Sequence, residues 1–202
     1  MVAIIDYDAG NISSVQNALR LLGQEVRLTR DAAVLQTASH VILPGVGAFG
    51  DAMQKLHAYG LTGVIQEIVR RGTPFLGICL GLQLLFEESE ESPGVKGLSL
   101  LPGIIRRIPE GEGLKIPHIG WNDLSFPRES RLFRDLPQSP FVYFVHSYYL
   151  HAEEASVVAA QTTYGITIDA AVEKDNLFAC QFHPEKSADV GMQILKNFLS
   201  VI

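Results

Sequence analysis

Apolar residues fall along this chain in two rhythms. Short runs rich in Val and Ile, VAIID at 2–6, HVILPG at 40–45 and PFLGI at 74–78, show no polar alternation, as expected of strands covered on both faces. Between them apolar positions recur at helical spacing. One such segment covers about 13–22 and is closed by Gly23; another covers about 61–71, with a basic end at Arg70 and Arg71 and Gly72 behind it. With EVRLT at 25–29 as the second strand, strands and helices alternate, which predicts an α/β fold: a mostly parallel central sheet with helices on both faces. From IIRRI at 104–108 the pattern changes. FVYFVH (141–146), SVVAAQ (156–161), TIDAAVE (167–173) and LFACQFH (177–183) are separated mainly by turns, which predicts antiparallel additions to the sheet ahead of a last helix over about 189–199. The acidic stretch EESEESPG at 87–94 is expected to be a solvated loop.

The chain has 202 residues, 47% of them hydrophobic, which suits a single domain spanning 1–202. A net charge of −6 argues against a broad surface for nucleic acid or an anionic membrane. The longest apolar stretch, 74–86, is shorter than the ~20 residues a bilayer span requires. The first residues turn acidic at Asp6 and Asp8, unlike a secretory signal. Two cysteines, Cys79 and Cys180, supply neither a disulfide scaffold nor a C-x-x-C motif. A cytoplasmic protein is expected, with no cofactor and no metal, since His183 and Glu185 have no further ligands at a metal-site spacing.

Cys79 changes this picture. It sits between Gly77 and Gly81, where the run PFLGI passes into Leu80, Leu84 and Leu85 at helical spacing. That is a G-x-nucleophile-x-G turn with Cys in place of Ser: the glycines permit close backbone packing, the helix N-terminus favours a thiolate, and the Leu80 amide would face an oxyanion. The same five letters also fit a small buried core thiol. His183, in QFHPEKS at 181–187, ends a predicted strand and has Glu185 two positions on. It could take and return a proton while Glu185 orients the ring, although His-Pro-Glu by itself also reads as a surface turn. LPGVGAFGD at 43–51 puts Gly45, Gly47 and Gly50 at the carboxyl end of a parallel strand, where ligands bind; it suits an oxyanion hole or a plain Pro-Gly turn, and lacks the G-K-[ST] of a phosphate loop. Cys180 reads as core, and His40, His57 and His151 have no cooperating motif.

PGVGAFGD, GICLGLQLLF, PHIGWN (117–122), YFVHSYY (143–149) and QFHPEKS follow one another in order, between DYDAGNISSV (6–15) and the last helix. Over essentially its whole length the chain resembles the class I glutamine amidotransferases. The resemblance implies a Cys-His-Glu triad of Cys79 as nucleophile, His183 as general base and acid, and Glu185 as orienting acid. It further implies that Gln83, the Gly47 region and the backbone of His146, Ser147 and Tyr148 hold glutamine. Val46, Gly47 and Leu80 would supply oxyanion donors, and Asn11, Trp121, Tyr143 and Lys186 would lie at an interface or gate. The motifs look most like glutaminase subunits that form a heterodimer with a (β/α)8-barrel cyclase. Ammonia passes through the barrel, and the products are imidazole glycerol phosphate and aminoimidazole carboxamide ribotide of histidine biosynthesis. In that setting the Val46–Gly47 segment is expected to be poorly oriented until the partner carries its ligand. The alternatives are a glutaminase for another synthase, such as that of pyridoxal phosphate, against which PHIGWN and YFVHSY speak; a stand-alone hydrolase of γ-glutamyl compounds; and a non-catalytic regulatory binding subunit.

Overall fold

The computed structural model describes residues 1–10 and 12–202. The first half alternates strand and helix through β1 (Val2–Ile5), α1 (Ile12–Leu21), β2 (Val26–Thr29), α2 (Ala32–Thr37), β3 (His40–Leu43), α3 (Phe49–Ala58), α4 (Leu61–Arg70), β4 (Phe75–Ile78) and the one-turn α5 (Leu80–Gln83); the strands, α1 and α4 lie where the pattern predicts them, while α2 and α3 were not expected. The second half is mostly strand: β5 (Glu88–Ser89), β6 (Gly103–Arg107), β7 (His118–Asp123), β8 (Phe141–His146), β9 (Tyr148–Ala152), β10 (Val158–Tyr164), β11 (Ile166–Lys174) and β12 (Leu177–Cys180), then α6 (Ala188–Leu199).

Ten strands form one sheet in the order β2-β1-β3-β4-β12-β11-β9-β6-β5, with β10 on β11. The strands β2, β1, β3, β4 and β12 run parallel. Beyond them β11, β9 and β6 pair antiparallel, and β7 with β8 makes a separate antiparallel ribbon. The parallel strands lack polar alternation because both faces are covered. Ala3, Ile5, Val41, Leu43 and Phe75 pack with Leu56, Ile65 and Ile68 of α3 and α4. Val2, Ile4, Ile42, Leu76 and Phe178 pack on the other side with Val15, Leu19, Ile194 and Phe198 of α1 and α6. The step that builds the site is the return of β12 beside β4, which sets Cys180 opposite Ile78 and delivers the residues after it next to those after β4.

Several elements differ from the sequence expectation. LFACQFH leaves strand geometry after Cys180, although the Gln181 amide still donates to Ala170 O at 2.8 Å. The helix expected through Leu84 and Leu85 stops at Gln83: the Leu85 and Phe86 amides reach back only three residues, to Leu82 O at 3.1 Å and Gln83 O at 3.2 Å, and the Leu84 and Leu85 carbonyls accept from the amides of Leu98 and Leu100, each at 2.8 Å. EESEESPG is not simply solvated. Ser89 is buried, Glu91 accepts from the Phe49 amide at the start of α3 (2.8 Å), and Glu90 accepts from the Arg107 amide (2.8 Å). A carboxylate at a helix start is favoured by the unpaired amides there. Among the described residues no helix is long and apolar enough to cross a membrane.

Candidate active site

Cys79 occupies the turn between β4 and α5 with φ 55° and ψ −110°, a conformation that costs a non-glycine residue about 1–3 kcal/mol. The turn is possible only because its flanks are glycine. A Cβ on Gly77 would stand 2.7 Å from Gly81 O, and one on Gly81 would stand 1.9 Å from Leu43 O. The Cys79 amide is spent on Cys180 O at 2.8 Å, so β12 fixes the turn from the other side. The sulfur is nearly buried, 4.0 Å from Val145 O and 3.7 Å from Gln181 Nε2.

His183 is 2% exposed, and its amide donates to Tyr143 O at 2.9 Å. The Ser187 hydroxyl donates to His183 O at 2.7 Å and accepts from the Tyr143 amide at 2.9 Å, clamping the turn to β8. Ring atom Nδ1 bonds Glu185 Oε1 at 2.8 Å, both side chains being buried, while Nε2 faces Cys79 and has no oxygen or nitrogen partner among the described residues. Burial opposes a charge on His183, but hydrogen bonds and negative charge from Cys79 and Glu185 outweigh it and lift the pKa to about 9. Cys180 is fully buried, which pushes its thiol well up and keeps it protonated.

A cleft of about 300 Å³ opens over the sulfur. Val46, Gly47, Leu80, Gln83, His146, Ser147, Tyr148 and His183 line it with Cys79, so the residues expected to hold substrate and oxyanion come together. The Leu80 amide is a correction. Expected to face an oxyanion, it donates instead to Gly45 O at 3.3 Å. Tyr148 O is likewise already taken, by His146 Nδ1 at 2.9 Å and Gln83 Nε2 at 3.1 Å. Both Gln83 amide hydrogens are thereby used, one on Tyr148 O and one on Gln181 Oε1 (3.1 Å), leaving its oxygen for a ligand. Because a carbonyl only accepts, His146 carries its proton on Nδ1, and its Nε2 accepts from His118 Nδ1 at 3.0 Å. Burial pushes His146 down to about 3 and His118 to about 4, so both are neutral.

The ribbon β7–β8 and the turn after β12 carry three of the four expected interface positions. Trp121, 53% exposed, meets the Tyr143 ring edge-on at 6.1 Å, and Lys186 Nζ lies 5.9 Å from the same ring. Exposed Ile119 and Phe141 extend this apolar face. Asn11 lies outside the described residues. Sequence reasoning did not single out Gln181, Ser187 or His118; a Gln inside an otherwise apolar strand end was the one available signal for the first of them.

The family model for glutamine amidotransferase class-I matches residues 3–202. The chain is 52% identical over 197 residues to the imidazole glycerol phosphate synthase subunit HisH of Moorella thermoacetica, covering 98% of this chain and 93% of that protein. It is 49% identical over 202 residues to the protein of the same name from Methanothermobacter thermautotrophicus, covering 100% and 99%. Among solved structures, a glutamine amidotransferase matches with a TM-score of 0.77 at 21% identity, covering 98% of this chain and 97% of that one. A glutamine amidotransferase from Thermotoga maritima matches with 0.66 at 19%, covering 98% and 81%; at these identities the likeness is one of fold.

Proposed function

This chain belongs to the glutamine amidotransferase class-I family, and we propose that it is the glutaminase subunit of an imidazole glycerol phosphate synthase in histidine biosynthesis. Residues 1–202 act as one glutaminase domain. Cys79 attacks the side-chain amide of glutamine, His183 gives its proton to the departing ammonia, and water then opens the γ-glutamyl thioester with His183 as base and Glu185 holding the ring. The observation that carries this reading is the 2.8 Å Nδ1–Glu185 bond, which leaves Nε2 turned to a sulfur on a strained, glycine-flanked turn. The free Gln83 oxygen suits the α-ammonium of glutamine. Ammonia released in water would protonate, so a glutaminase without its own synthase needs a partner that receives it. The Ile119, Trp121, Tyr143 and Phe141 face is the docking surface for a (β/α)8-barrel cyclase in a heterodimer, with Lys186 beside it as a gate. The pair works in the cytoplasm, where a reducing medium preserves a free thiol.

The resting state is switched off. Gly45 O sits on the Leu80 amide, so a developing oxyanion would meet a carbonyl there. The Gly45 carbonyl and the Val46 amide share one peptide plane, so a flip of that plane, hinged on Gly45 with no side chain of its own, would turn the carbonyl away and bring the Val46 amide in once the liganded partner favours that state. The test is ammonia release by wild type and Cys79→Ser, alone and with a cyclase subunit plus its nucleotide ligand. Release that needs the liganded cyclase and vanishes in Cys79→Ser is expected. Activity in Cys79→Ser would overturn the triad, and activity indifferent to the cyclase would overturn the partner and the gate.

A further inference from the structure

Gln181 is fully buried, and its side-chain amide lies between the sulfur and Gln83. Which end of that amide meets the sulfur is decided by a chain of hydrogen bonds ending on a group that cannot flip. Tyr148 O only accepts, so the end of Gln83 that faces it at 3.1 Å is the NH2. The same NH2 reaches Gln181 at 3.1 Å, so Gln181 presents its oxygen there and its own NH2 to Cys79 Sγ at 3.7 Å. A main-chain group also faces the sulfur, Val145 O at 4.0 Å, whose negative end favours the protonated thiol. A fixed amide donor in a water-poor pocket offsets it, because a hydrogen bond to an anion is stronger than one to its neutral form.

We propose that Gln181 is a positioning residue for the glutaminase reaction, donating an oriented N–H to the Cys79 sulfur so that it is held as a thiolate aimed into the cleft. The inference rests on Cys79 being the nucleophile. Of the titratable groups around the sulfur, His183 is the one that exchanges charge with it. Tyr7, just after β1, and Cys180 of β12 are kept protonated by burial, His146 of β8 is kept neutral by burial, Glu185 is bonded to His183, and Glu91 at the cleft mouth is bonded to the Phe49 amide.

The test is the pH dependence of alkylation of the full chain by iodoacetamide, with the modified residue located by peptide mapping, in wild type, Gln181→Met and Gln181→Glu. Met removes the donor at similar volume; Glu keeps the acceptor for Gln83 and loses the donor. The half-maximal pH is expected to rise by about one unit in Gln181→Met, a tenfold slower rate on the rising limb, and further in Gln181→Glu, while the high-pH plateau stays near wild type. A merely structural role would move the plateau and not the midpoint. An unchanged midpoint in either folded variant overturns the proposal. Its failure is separable from failure of the triad, because alkylation needs no glutamine and the triad is judged by ammonia release in Cys79→Ser.

Discussion

Gly81→Ala tests the geometry that holds Cys79 in place. The added Cβ would stand 1.9 Å from Leu43 O, 2.9 Å from its carbonyl carbon and 3.5 Å from its Cγ. Contacts under 3.0 Å do not persist, so α5 and the end of β3 must separate by at least 1.1 Å, the difference between 3.0 and 1.9 Å. Neither side yields easily. Leu43 pairs with Gly77 across β3 and β4, and the turn before Gly81 is tied to β12 through the Cys79 amide. Overpacking of this kind costs about 1–3 kcal/mol, with the upper end expected here because both partners are backbone. The same displacement moves Cys79 relative to His183, and about 1 Å of misplacement at a reacting centre costs about a hundredfold in rate. Urea unfolding and ammonia release by the complex read the two effects separately. Gly63→Ala is the control: that glycine lies inside α4 with nothing within 4 Å of an added Cβ, so it should gain about 0.5–1 kcal/mol of stability and leave the rate alone. Wild-type stability and rate in Gly81→Ala would refute the close approach of α5 to β3 and the account of the turn built on it.

Glu173 accepts from Ser130 Oγ (2.5 Å) and from Arg131 Nε (2.6 Å) and its amide (3.0 Å); Glu173→Ala should lower the unfolding free energy by about 2–3 kcal/mol while the kcat of folded protein is unchanged. His118, with its pKa pushed down to about 4 by burial, must charge when the chain unfolds in mild acid, so stability present above about pH 6.5 is lost as pH falls toward 4. His118→Phe, which keeps a ring between Phe144 and Tyr164, should lose less stability than wild type between pH 7 and 5, by about 1–2 kcal/mol in urea titrations; equal losses would contradict the burial account. His183 has the opposite sign: its raised pKa gives stability that is full below about 6.5 and gone once pH passes about 9. Glu185→Gln removes part of that rise, so its urea midpoint should fall less than that of wild type between about pH 6 and 9.5.

What could be read along the chain was what is set by nearest neighbours and by burial. The parallel strands declared themselves because a strand covered on both faces has no polar face to show, and Gly77, Cys79 and Gly81 declared a turn because three closely spaced constraints agree. Where distant segments intervene, the local pattern misleads. Leu80, Leu84 and Leu85 have helical spacing, yet the helix stops at Gln83, where the chain tightens to three-residue bonds and residues 98 and 100, from a distant segment, bond the carbonyls of Leu84 and Leu85. Phe49, Ala52, Met53 and Leu56 of α3 are also helically spaced, but the glycines of LPGVGAFGD drew its first turn into a ligand loop, and the carboxylate that caps it comes from Glu91, 42 residues away. The Leu80 amide shows the same limit within the site. Its position after Cys79 follows from the motif, whereas its partner, Gly45 O, depends on how the end of β3 meets α5. Local spacing therefore raised Cys79, His183 and Glu185 as candidates and the resemblance gave them their proposed triad roles, while the groups that surround the sulfur, Gln181, Val145 O and Gly45 O, come from three separate crossings of the chain. The proposed on-off control resides in those crossings, since a partner pressing on β7–β8 or on the segment after β3 acts on carbonyls and amides around Cys79 without touching the triad side chains.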